Sequence, residues 1–212
     1  MSESGVQLKS ATVAIAAVTA LISLLIILAG GLGLAAATMG FIPGRVSGLV
    51  DLPAALPVWL TPFSATLVHD GFLHLVLNLV MLVWIGAQVE RVLGASSLIL
   101  AYIIGAVVAA GAQWLAGPSA MIPMVGASGA ISALFGIYAL LAARPKPLTG
   151  SPAVNRAIHA AWLLATWVVV QWMTQMLAGG EGVMLATPAH IGGFIAGLLL
   201  ERPLLLWRYR AA

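Results

Sequence analysis

From Ser10 to Gly44 the chain carries no Asp, Glu, Lys or Arg. Within that stretch, residues 13–34 exceed the roughly 20 apolar residues that a bilayer-spanning helix needs. Ala35-Ala36-Ala37 has the small-residue character of a signal-peptidase site. The apolar run is longer than the about 7–15 residues of a signal peptide's core, so it reads as a retained helix. Scarcity of charge extends to the whole chain: 62% of the 212 residues are apolar and 7% are charged, against about 25% charged in a soluble domain. Nine basic and six acidic residues cannot form a solvated shell. The chain is therefore read as an integral membrane protein. Unbroken Leu/Ala/Gly-rich runs favour helices over a barrel, whose strands alternate at every second residue. The absence of cysteine removes thiolate nucleophiles, disulfides and thiolate metal sites. The scattered basic residues form no nucleic-acid patch.

Between residues 39 and 70 the pattern breaks. Pro43, Pro53, Pro57 and Pro62 alternate with apolar residues, Arg45, Asp51 and Trp59. This composition predicts an interfacial loop with short helices. Five further spans are expected at about residues 72–89, 95–115, 126–143, 158–177 and from Pro188 to about Glu201-Arg202-Pro203. Six spans put both termini on one side. With that side cytoplasmic, Lys9, Arg91, Arg144, Lys146, Arg156, Arg202, Arg208 and Arg210 lie inside and Arg45 alone lies outside, with Asp51, Asp70 and Glu181. This asymmetry is the positive-inside pattern. The expected organisation is a cytoplasmic tail at residues 1–12, an all-α membrane bundle at 13–206 and a basic cytoplasmic tail at 207–212.

In this orientation the second, fourth and sixth spans begin near the outer face. Their N-terminal ends carry His74 and Asn78, Ser128, and His190 respectively. At about 1.5 Å per residue, Ser128 lies roughly 24 Å above Arg144, His190 roughly 18 Å above Arg202, and His74 roughly 25 Å above Arg91. These groups share a side and a similar depth. Small residues recur at four-residue spacing, as Ser128, Ser132 and Gly136 on the fourth span and Ala189, Gly193 and Gly197 on the sixth. Such stripes let backbones approach closely. If they face each other, His190 reaches Ser128.

Each residue also has a plainer reading. A Ser in Gly-Ala-Ser-Gly packs helices, Asn78 bridges them, and His74 is interfacial. His190 is harder to dismiss, because an ionisable group within a span is costly. Taken together, the four suggest nucleophilic chemistry. A serine hydroxyl needs a base, and a buried histidine suits that role. No carboxylate falls within the expected spans, so a Ser–His dyad is preferred to a triad. The first N–H groups of a helix starting near Ser128, the Asn78 amide and a His74 ring N–H are candidate oxyanion donors. No His-Glu-x-x-His is present and the spans hold no aspartate pair, so no metal or cofactor is expected.

Three segments resemble the rhomboid family of intramembrane serine proteases. His69 to Asn78, continuing to Glu90-Arg91, is similar to the family's H-x₄-H-x₃-N helix with its terminal Glu. Gly126-Ala127-Ser128-Gly129 is similar to its G-x-S-G motif, and Ala189-His190 followed by Gly193 and Gly197 to its last-helix histidine and GxxxG. The similarity runs in order over some two-thirds of the chain. It implies Ser128 as nucleophile, His190 as base, and His74 and Asn78 as oxyanion donors with the Ser128 N–H. It further implies a first loop packed sideways on the bundle. The fifth helix, with Trp162, Trp167 and Trp172, and the loop Gly179-Gly180-Glu181-Gly182 would gate substrate entry; lipid-facing tryptophans are an equal alternative. Two positions depart from the family: Leu60 follows Trp59 where relatives have Arg, and Ser132 stands where relatives often stack an aromatic on the base.

The function expected is an endopeptidase of the plasma membrane. It would cut single-span transmembrane proteins near the outer face, with membrane lipid as its surroundings and no nucleic-acid partner. The alternatives are a catalytically silent relative that binds membrane helices, and a small transporter with histidines along its path.

Overall fold

The computed structural model describes residues 10–143, 145–179 and 186–210. Lys9, Arg144, Glu181 and the expected cap at Gly180-Glu181-Gly182 lie outside the described residues. The order of helices is α1 (Ala11–Leu28), α2 (Leu32–Met39), α3 (Pro43–Val46), α4 (Thr61–Ser64), α5 (Phe72–Leu93), α6 (Ala95–Ala116), α7 (Ser128–Ala142), α8 (Pro152–Gly179) and α9 (Thr187–Arg208). Short 3₁₀ turns at Val58–Leu60 and Ala65–Leu67 flank α4. No strand is present among the described residues beyond one isolated bridge, Phe41 with Met124.

Helices α1, α5, α6, α8 and α9 are long and apolar enough to cross a membrane. The expected fourth span, α7, has 15 residues, or about 22 Å at the helical rise, short of a hydrocarbon core of about 30 Å. Its N-terminus can therefore sit below the membrane surface. Many large apolar side chains face outward, among them Leu21, Leu25, Trp84, Val169, Trp172 and Met173. A lipid-facing surface has this character. Together these features make the chain an integral membrane protein of helical-bundle type.

Several boundaries differ from those expected. The first run stops at Leu28, where the Gly30 and Gly31 N–H groups return to the Ile27 and Ile26 carbonyls. This closes the helix in the manner of a Schellman cap, and α2 then starts separately. Helix α8 begins at Pro152 rather than near 158. Ser151 Oγ accepts from the Val154 N–H at 3.4 Å and Pro152 occupies the first turn, where proline's missing donor costs nothing. Pro203 does not end α9, which continues to Arg208, into the stretch expected to be tail. Leu204 is buried there in the central core, and Tyr209 Oη donates to the Val92 carbonyl at 2.8 Å, so packing overrides the proline.

The longer helices carry two carboxylates, contrary to the expectation that the spans would hold none. Glu90 and Glu201 lie in the C-terminal halves of α5 and α9. Both have structural partners. Glu201, 2% exposed, pairs with Arg156 of α8. Glu90 accepts from Ser10 Oγ (2.6 Å), the Ala11 N–H (2.7 Å), the Thr12 N–H (3.0 Å) and Thr12 Oγ1 (2.6 Å). These are N-terminal donors of α1 with no intrahelical acceptor. Glu90→Ala is expected to lower unfolding stability by about 3 kcal/mol, read as a lower unfolding temperature in detergent, because it orphans several donors at once.

Helix α7 is central. It packs on α9, α6 and α5, and α6 also packs on α9. Leu82, Ile85 and Val89 of α5, Leu98 and Ala101 of α6, Leu134 and Ile137 of α7 and Leu204 of α9 form one core. Helix α1 packs on α5, and α8 lies at the periphery, chiefly on α9.

Candidate active site

The small-residue stripes of α7 and α9 do face each other. A Cβ on Gly193 would lie 2.1 Å from the Gly129 carbonyl oxygen, and one on Gly197 would lie 2.0 Å from that of Ala133. No side chain fits there, so the two backbones are in direct contact. The register of this contact brings His190, one turn before Gly193, beside Ser128 at the start of α7. Ser128 Oγ lies 2.7 Å from His190 Nε2. That is the separation at which a hydroxyl donates to an imidazole lone pair and a base removes its proton. Both residues are partly exposed, so the pair is reachable.

Helix α7 starts at Ser128, and its first intrahelical bond runs from the Ile131 N–H to the Ala127 carbonyl at 3.0 Å. The Ser128, Gly129 and Ala130 N–H groups precede it and have no acceptor within the helix. They lie in the same first turn as the hydroxyl, and an oxyanion needs donors of this kind.

His74 and Asn78 occupy one face of α5. The Asp70 N–H donates to His74 Nδ1 at 3.2 Å. With Nδ1 accepting, the ring proton sits on Nε2. Gly126 has a φ of +109°, and a Cβ there would lie 2.8 Å from His74 Nε2 and 3.8 Å from Ser128 Oγ. Glycine is thus required both for the backbone angle and for the ring to approach. It leaves the His74 edge and the serine hydroxyl close to the same point of the loop. Asn78 Nδ2 donates to the His74 carbonyl at 2.9 Å. One of its two N–H bonds is therefore turned back onto α5, a difference from the free amide expected. Beside Ser128 lies a cavity of about 10 Å³, walled among others by Ala65, Ala106, Ala109, Gly129 and Ala189.

The loop before Ser128 is held by the long first loop, through contacts that the sequence did not reveal. Met124 and Phe41 exchange backbone bonds at 2.8 and 3.0 Å, and the Gly126 N–H donates to the Ala65 carbonyl at 2.9 Å. His69 is fully buried. Its Nδ1 lies 2.9 Å from Ser23 Oγ, which itself donates to the Leu67 carbonyl at 2.8 Å, while its Nε2 accepts from the Ala127 N–H at 3.4 Å. One imidazole therefore ties α1, the first loop and Ala127, the neighbour of Ser128, together. Burial, helped by the facing His74, pushes its pKa from 6.5 down to about 3.

The folded state keeps His69 neutral while the unfolded chain protonates it below pH 6.5. Its contribution is thus intact above pH 6.5 and lost progressively as the pH falls toward 3. The aromatic variant His69→Phe lacks that proton linkage. Its stability deficit relative to wild type is expected to narrow by about 2 kcal/mol between pH 7 and pH 5, measured by parallel unfolding curves.

Of the three tryptophans on α8, Trp162 and Trp172 are exposed. Trp167 instead stacks on Phe194 at 4.8 Å and 10°, contacts Phe135 at 5.3 Å, and donates from Nε1 to the His190 carbonyl at 3.2 Å.

A family model described as Rhomboid domain matches residues 57–207. The protein named Rhomboid protease GlpG in Pectobacterium atrosepticum is 33% identical over 139 residues, which is 65% of this chain and 46% of that protein. Those of the same name in Yersinia pestis and Yersinia pseudotuberculosis are 30% identical over 138 residues, 65% of this chain and 45% of theirs. The chain thus spans about half the length of the curated relatives it matches. The matched segment covers α5 to α9 and with them the Ser128–His190 pair, and on that match the chain belongs to the rhomboid family.

Proposed function

We propose that this protein is an intramembrane serine endopeptidase that cuts transmembrane segments of other membrane proteins through a Ser128–His190 dyad. The observation that carries this reading is the 2.7 Å contact between Ser128 Oγ and His190 Nε2 at the partly buried start of a short central helix. The relatives' name, rhomboid protease, supports it.

In this mechanism His190 Nε2 takes the Ser128 proton as Oγ attacks the scissile carbonyl. The resulting oxyanion receives the Ser128 N–H, the His74 Nε2–H and the second N–H of Asn78. Collapse expels the amine with a proton from His190 and leaves an acyl-enzyme. A water then attacks, with His190 again as base. Ala- and Gly-walled space beside Ser128 favours a small side chain next to the cut. A helical substrate must unwind locally to present its carbonyl, so helix-breaking residues near the cut are favoured too. The charge asymmetry supports cytoplasmic termini and an active site toward the outer side of a plasma membrane. Single-span proteins are the proposed substrates, and lipid is the solvent in which they arrive.

Purified protein in liposomes, incubated with a panel of single-span substrates, tests this. Cleavage by wild type and its absence with Ser128→Ala is the expected result. Cleavage that persists in Ser128→Ala overturns the mechanism.

A further inference from the structure

A serine–histidine contact fixes only one edge of the imidazole. For His190 Nε2 to act as base, Nδ1 must carry the proton and needs an acceptor of its own. Among the described residues no carboxylate supplies one: the two acidic residues within the spanning helices, Glu90 and Glu201, have the structural partners described above. Nor does an aromatic ring hold the imidazole by stacking, since no described residue makes a ring contact with His190. Ser132, one turn after the nucleophile, donates instead to the Ser128 carbonyl at 2.8 Å.

The acceptor comes from α8. Gln171 Oε1 lies 2.9 Å from His190 Nδ1, and Gln171 is 8% exposed on a helix whose other faces are largely open. Gln171 is four residues after Trp167, so both lie on one face of α8. Trp167 holds the His190 backbone and Gln171 faces the ring. A polar side chain at that depth needs a partner, and the partner it has is the base.

Building on the dyad reading, we infer that Gln171 is a positioning residue for His190, accepting the Nδ1 proton so that Nε2 faces Ser128. The arrangement is a Ser–His–Gln relay with a neutral third member. Because that member sits on α8, the orientation of the base depends on how α8 seats on α9, through Gln171, Trp167 and the Arg156–Glu201 pair.

Two measurements test this. The first is cleavage kinetics of Gln171→Met, which keeps the length and apolar packing but removes the oxygen, and of Gln171→Glu, which restores an oxygen at the same reach. Gln171→Met is expected to lower kcat about 10- to 100-fold, a part of the whole general-base contribution, with KM within about twofold. Gln171→Glu is expected to recover most of kcat. The second is nitrogen-15 NMR of the histidine side chains in detergent. His190 should be a single Nδ1–H tautomer in wild type and a mixture in Gln171→Met. Wild-type kcat in Gln171→Met, equal loss in both variants, or an Nε2–H tautomer in wild type would overturn the assignment. A wild type that cleaves nothing counts against the dyad, while the tautomer still reports on the Gln171 contact.

Discussion

Ser128→Ala is expected to reduce cleavage of a transmembrane substrate by at least about 10⁴-fold, and His190→Ala by a similar factor. The size follows from the geometry. The hydroxyl and imidazole are 2.7 Å apart, so in the proposed dyad each depends on the other. Among the described residues no second base is hydrogen-bonded to the Ser128 hydroxyl, and in the proposed acylation step the proton that His190 takes is that of Ser128. The double variant should therefore be no slower than the worse single variant, because groups acting as one unit are not additive. Initial rates over a long incubation give all three values. Two losses that multiply would mean that Ser128 and His190 act independently.

The second large effect lies in the backbone contact that creates the pair. Gly197→Val should both unfold the protein at markedly lower temperature and abolish activity. A Cβ at Gly197 would meet the Ala133 carbonyl oxygen at 2.0 Å and its carbon at 2.9 Å, and these are main-chain atoms of the central helix that cannot rotate away. Overpacking among side chains costs about 1–3 kcal/mol. A clash with a helix backbone should reach or pass the upper end of that range. Relief requires α9 to move off α7, which carries His190 away from Ser128. Gly111→Ala on α6 is the contrasting case. Nothing lies within 4 Å of its would-be Cβ, so the better helix propensity of alanine should stabilise by up to about 1 kcal/mol. Unfolding in detergent and cleavage rates separate the two substitutions.

Much of the site could be read from the chain because it depends on register within helices. Ser128 opens Gly-Ala-Ser-Gly's helix, His190 and the two glycines share one face of theirs, and charge asymmetry gives each an expected direction. Helical spacing then dictates which face meets which. What escaped the sequence depends on contacts between distant segments. His69 and Ala127 are 58 positions apart, and no local pattern announces that a loop histidine will hold the neighbour of Ser128. Glu90 reads as a charge ending a span, yet its partners are the α1 N-terminus 78 to 80 residues away.

The α8 tryptophans show a signal that was available. Trp162, Trp167 and Trp172 recur every five residues, which turns successive rings by about 140° on a helix of 3.6 residues per turn. They cannot all face one way, and only Trp167 faces inward. The same turn arithmetic puts Gln171 beside Trp167. A glutamine within an apolar run was the remaining clue that this face meets something polar.

The most direct test of the central claim is labelling of the folded protein by a fluorophosphonate, which reacts with a serine only when a base activates it. Wild type should be labelled at Ser128, with labelling lost in Ser128→Ala and in His190→Ala. An unlabelled wild type of intact fold, or labelling that survives His190→Ala unchanged, would contradict the account.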